Sequence, residues 1–134
     1  MAFFSFEGQS IYYIDQGHGT PMLFLHNGGT DQTIWQKQFS TFLPNHRVLA
    51  LDWPGCGLSD RPNRPYDLSL YLQLLKKFIE DLRLQQLILV GSCVGASTAL
   101  EFACLFPQSV KSLILFNVFG GTATIPSLKW VERK

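Results

Sequence analysis

The sequence is poor in charge. Lys, Arg, Asp and Glu make up 16% of its 134 residues, against about 25% in an ordinary soluble domain. Net charge is +1, and no basic run is longer than Lys76-Lys77, so the electrostatic footing for nucleic-acid binding is absent. Cysteines number three, Cys56, Cys93 and Cys104, an odd count without C-x-x-C spacing. That pattern argues against a disulfide framework or a zinc site and for reduced thiols in the cytoplasm. No apolar run reaches bilayer length, and Met1-Ala2-Phe3-Phe4 lacks the basic start and cleavage site of a secretory signal, so no membrane partner is expected. Histidine is missing after His46.

What is plentiful is apolar surface: 46% hydrophobic and 13% aromatic residues, more than enough to exclude a disordered chain. The distribution is uneven. From Leu84 to Leu128 the only charged residues are Glu101 and Lys111. At the chain average about seven would stand there, so this third reads as the interior of something. Length alone predicts one domain, residues 1–134.

Short apolar runs alternate with helical patterns. Residues 3–7 and 11–15 read as two strands joined through Gly8-Gln9-Ser10. Met22 to Leu25, Arg47 to Leu51, Leu87 to Val90 and Val110 to Phe116 are further strands, written as runs and so buried on both faces. Trp35, Phe39, Phe42 and Leu43 place a helix after a Thr30 or Asp31 cap, ended by Pro44. Asp67 caps a second helix with the stripe Tyr71, Leu74, Leu75, Phe78 and Leu82. Ala96 to Phe106, ended by Pro107, is a third, apolar almost all round and therefore buried. This order predicts an α/β fold, a mostly parallel sheet with helices on both faces. Chemistry in such sheets gathers at the carboxyl ends of strands, here the loops after Leu25, Leu51 and Val90.

The last of these loops is Gly91-Ser92-Cys93-Val94-Gly95, between a buried strand and a helix of small residues. A sharp turn there requires glycines where a Cβ would clash, and presents Cys93 at a helix N-terminus, where the macrodipole favours negative charge. The same residues fit a plain buried cysteine in a tight turn. The segment lacks Gly-Lys-Ser/Thr and G-x-G-x-x-G, which removes phosphate-loop and dinucleotide readings. Neither a cofactor nor a metal is called for.

With this loop, Met22-Leu23-Phe24-Leu25-His26-Asn27-Gly28-Gly29 and Asp52-Trp53-Pro54-Gly55-Cys56-Gly57-Leu58-Ser59-Asp60 stand in the order in which the α/β-hydrolase superfamily carries its motifs. Over residues 3–119 the chain resembles the N-terminal part of that fold. The resemblance implies Cys93 as nucleophile, where the family usually has Ser and dienelactone hydrolase has Cys. It implies oxyanion donors at the N–H groups of Val94 and Gly28, within the loop His26, Asn27, Gly28 and Gly29. Trp53 and Asn117 are candidate pocket residues; Asp52 and Asp60 read as loop organisers. The absence of Asp at the nucleophile argues against the epoxide hydrolase and haloalkane dehalogenase branches. The family's acid and histidine come after the nucleophile. Here only Glu101 and Glu132 follow Cys93, and Asn117 stands where some members place an alternative acid. A Cys93–His26 dyad is the one arrangement that would supply a base from within the chain, and geometry decides it.

The expectation is thus an α/β-hydrolase-like sheet cut off after about the sixth strand, with residues 120–134 starting a cap or linker. The function implied is hydrolysis of an ester, thioester or lactone-type small molecule through Cys93. The alternatives are a non-catalytic binding or signalling relative, or an inactive fragment. An apolar interior without its cover predicts association with a second copy or a complementing chain.

Overall fold

The computed structural model describes residues 2–118. The expected cap or linker, residues 120–134, lies outside the described residues.

Six strands form one sheet: β1 (Ala2–Phe6), β2 (Gln9–Gly17), β3 (Pro21–Leu25), β4 (Arg47–Leu51), β5 (Leu87–Ser92) and β6 (Val110–Phe116), in the spatial order β1-β2-β4-β3-β5-β6. The first two pairings, β1 with β2 and β2 with β4, are antiparallel. The remaining ones are parallel. The β1–β2 turn is Glu7-Gly8, not Gly8 to Ser10. Both residues have positive φ, 50° and 79°, which a two-residue turn needs to match strand twist, and Gln9 and Ser10 belong to β2.

Three helices follow the strands: α1 (Gln36–Phe42), α2 (Leu68–Asp81) and α3 (Val94–Leu105). The helix expected after Asp31 is split, a 3-10 turn at Gln32–Trp35 leading into α1; the Asp31 carboxylate accepts from Thr33 N–H, as a cap should. Asp67 caps α2 through Leu70 N–H at 2.8 Å. From β3 the chain crosses to β4 on one side. From β4 it returns past β3 to β5 and continues to β6. Right-handed crossovers in opposite directions put their helices on opposite faces. The packing agrees. Leu23, Leu25, Leu49, Leu51, Leu87 and Leu89 face the side of α2 and α3. Met22, Phe24, Val48, Ala50 and Val90 face Trp35, Phe39, Phe42 and Leu43. Each of these buried side chains larger than alanine contributes roughly 1.5–3 kcal/mol. The strands read as unbroken apolar runs because both faces are covered.

The reversal of direction occurs at β3. In an open α/β sheet a ligand usually binds beside the carboxyl ends of the strands that flank such a reversal, here β3 and β5.

Candidate functional site

Leu25 pairs with Gly91 across β3 and β5, so the loop beginning at His26 and the turn holding Cys93 leave the sheet side by side. At Cys93 the backbone adopts φ 53° and ψ −114°, a conformation strongly disfavoured for a residue with a side chain. Its neighbours make that turn possible. A Cβ on Gly95 would lie 2.2 Å from the Leu25 carbonyl oxygen, and one on Gly91 would lie 2.6 Å from the Gly95 backbone. Only glycine fits either place. With no side chain on Gly95 and only a methyl on Ala96, α3 can start against β3, and Cys93 N–H is held by the Phe116 carbonyl at 3.0 Å. Cys93 itself is half-buried. Val94 opens α3, and by helix geometry its N–H has no intrahelical acceptor.

The loop after β3 is braced from within. The Thr30 hydroxyl donates toward the Asn27 carbonyl (2.9 Å) and lies 3.0 Å from the Asn27 side-chain oxygen. His26 is fully buried. Its Nδ1 lies 2.7 Å from the Asn27 carbonyl, and its Nε2 lies 3.0 Å from the Trp53 backbone N–H. A carbonyl can only accept and an amide can only donate. The ring is therefore the neutral Nδ1–H tautomer, donating to Asn27 and accepting from Trp53. Burial lowers its pKa, outweighing the opposing pull of the Asn27 hydrogen bond and the charges of Asp52 and Asp31. With both nitrogens engaged, His26 has none left for Cys93, and the dyad is ruled out. His18, before β3, and His46, before β4, lie at the other end of these strands. Gly28 and Gly29 are exposed, with open space beside their Cα atoms.

Trp53 is not a pocket residue. It is fully buried, its indole Nε1–H donates to the His26 carbonyl at 2.8 Å, and its ring meets Tyr71 of α2 edge-on at 4.9 Å. Aromatic content gave no hint of this, because the pairing depends on the indole N–H and not on the ring. Asp52 does organise its loop: its carboxylate accepts from Gln32 N–H (2.9 Å) and Leu58 N–H (3.0 Å), and a Cβ on Gly57 would strike it. Ser59 and Asp60 tie the same loop to the β1–β2 hairpin through Tyr12 N–H and Ser10 N–H. Burial raises the pKa of the Cys56 thiol, away from a reactive thiolate. Asn117 follows β6 with φ 55°, exposed beside the Phe116 carbonyl that holds Cys93 N–H.

The sequence profile of the alpha/beta hydrolase fold matches residues 20–131. The chain belongs to the α/β-hydrolase family. Among its relatives, 2-hydroxy-6-oxo-2,4-heptadienoate hydrolase of Pseudomonas putida is 32% identical over 111 residues, 79% of this chain and 40% of that protein. Epoxide hydrolase 3 of Mus musculus is 33% identical over 114 residues, 82% of this chain and 31% of that protein. The crystal structure of Bacillus megaterium epoxide hydrolase superposes with a TM-score of 0.81 at 31% identity, covering 87% of this chain and 42% of that one. The chain thus spans less than half the length of the curated relatives it matches, 31% of one and 44% of another. These relatives carry differently named activities, and the likeness covers only part of each. Among the described residues no helix is long and apolar enough to cross a membrane, and no group of His, Cys, Asp and Glu is placed to hold a metal ion.

Proposed function

We propose that the chain carries the nucleophile and oxyanion half of an acyl-hydrolase site acting on small esters, thioesters or lactones. The Cys93 thiolate adds to the substrate carbonyl. Val94 N–H and Gly28 N–H donate to the tetrahedral oxyanion. Collapse releases the alcohol or thiol and leaves acyl-Cys93, which water hydrolyses. The base that takes the proton from the thiol, returns it to the departing alkoxide or thiolate, and then takes one from the attacking water comes from polypeptide outside the described residues. The observation that carries this reading is the strained backbone of Cys93 (φ 53°, ψ −114°), held between two glycines that admit no Cβ. Such strain persists where the surroundings over-determine it, and it clusters at reacting groups. Epoxide and haloalkane chemistry run through a carboxylate nucleophile, and Cys93 is not one. Alkylation by iodoacetamide abolishes hydrolysis of p-nitrophenyl acetate on this account; turnover that survives stoichiometric alkylation of Cys93 removes it.

The occupied nitrogens of His26 favour a second reading, a ligand-binding relative without turnover. Its mark is ligand binding that is unchanged in Cys93→Ala, with no hydrolysis by either protein.

We further propose that the chain associates through β6, with itself or with a complementing chain. Beyond β6 the sheet has no further partner among the described residues. Ile114 and Phe116 are 40% and 49% exposed on the face that α1 covers elsewhere. The three free thiols fit a reducing compartment, the cytoplasm.

A further inference from the structure

We propose that Trp53 is a positioning residue for the oxyanion donor, acting as a two-point clamp on His26. The inference rests on the role given above to Gly28, which stands two residues after His26. The clamp has one backbone and one side-chain contact. Trp53 N–H donates to Nε2 of His26 at 3.0 Å, and Trp53 Nε1–H donates to the His26 carbonyl at 2.8 Å. The first bond fixes the ring and the second fixes the peptide plane between His26 and Asn27. The ring then returns a third bond to the Asn27 carbonyl at 2.7 Å, fixing the next plane, the one that carries Gly28 N–H. Two consecutive peptide planes are thereby set from a single residue on a different loop. Both His26 and Trp53 are fully buried, so water cannot substitute for a missing donor without opening the core.

The clamp is anchored in turn. Trp53 follows Asp52, whose carboxylate is bonded on both oxygens, and its ring abuts Tyr71 of α2 at 4.9 Å with planes at 84°. The loop after β3 is therefore coupled through Trp53 to the helix layer on the α2 side, by contacts that do not involve Cys93. A residue of this kind affects how well the oxyanion is held and leaves substrate binding and thiol reactivity alone.

The test uses the full chain and begins without any variant. The clamp demands the Nδ1–H tautomer of neutral His26, the minor form of an unconstrained histidine side chain. A long-range 1H–15N spectrum of the imidazole reads this directly, and an Nε2–H tautomer overturns the proposal. Trp53→Phe then removes the indole N–H while keeping a ring against Tyr71 and the backbone bond to Nε2. The amide of residue 53, buried and bonded to His26 Nε2 at 3.0 Å, is expected to exchange at least tenfold faster, with Leu23 and Leu89 unchanged. The rate at which iodoacetamide alkylates Cys93 stays as in the wild type. Where p-nitrophenyl acetate is turned over, kcat falls at least tenfold and KM stays within twofold. Unchanged exchange at residue 53, or a rise spread equally over β3 and β5, overturns the clamp. If exchange responds as stated and p-nitrophenyl acetate leaves no acetyl group on Cys93, the clamp stands and the hydrolase reading falls.

Discussion

At the scale of single residues, the molecule holds two unusual ones, and both can be tested by stability. His26 is buried as a neutral ring, and burial lowers its pKa from the ordinary 6.5. Above about pH 6.5 neither folded nor unfolded imidazole is protonated, and the stabilising effect is complete. As pH falls below that value the unfolded chain binds a proton first, so stability drains away until the lowered native pKa is reached. The urea midpoint of the wild type should therefore drop between pH 6.5 and 5, and His26→Asn should show a flatter profile over that window. Asp31, whose carboxylate is held below its ordinary 3.8 chiefly by the Thr33 hydroxyl, acts only at lower pH and does not interfere. Cys93 makes the opposite demonstration. Its backbone conformation costs a side-chain-bearing residue on the order of 1–3 kcal/mol, a cost glycine escapes. Cys93→Gly should unfold at higher urea, by about 1 kcal/mol, while losing all reaction with acyl donors. A strained residue retained at the expense of stability points to a use for its side chain.

At the scale of elements, the strand-to-helix turn is the most sharply determined piece. Gly95→Ala pushes a methyl group to 2.2 Å from the Leu25 carbonyl, where neither backbone can yield cheaply. It should cost at least about 3 kcal/mol or prevent folding. Gly28→Ala, placed in open space, should stay within about 0.5 kcal/mol in the same urea titration. Much of this was legible in the sequence. Apolar runs such as Met22 to Leu25 have no reading but a doubly covered strand, and Asp67 before the stripe Tyr71, Leu74, Phe78 marks a helix start. The two glycines around Cys93 announced a close approach, although the partner, the Leu25 carbonyl, is set by sheet order and cannot be read locally. Errors arose where two local signals compete. Glycine at position 8 is compatible with several turns, and only the twist of β1 against β2 selects Glu7-Gly8. The Trp53–His26 pairing was invisible because it joins loops 27 positions apart, through atoms that composition and periodicity do not register.

For the whole molecule, the charge-poor stretch from Leu84 to Leu128 is explained over its described part by β5, α3 and β6. The first two are mostly buried, and Ile114, Phe116 and Leu105 remain exposed. An unpaired strand edge beside exposed aromatic and aliphatic residues favours association. Light scattering should find the chain larger than one copy, and Ile114→Lys with Phe116→Lys should shift it toward a single copy. A monodisperse single copy in the wild type contradicts that expectation. The central claim, that the strained turn exists to present a nucleophile, is tested most directly by reaction with p-nitrophenyl acetate followed by peptide mapping in the mass spectrometer. The account predicts one acetyl group on Cys93, none on Cys56, whose thiol burial keeps protonated, and no adduct in Cys93→Ala. Acetylation that spares Cys93, or labels Cys56 and Cys104 equally, contradicts it.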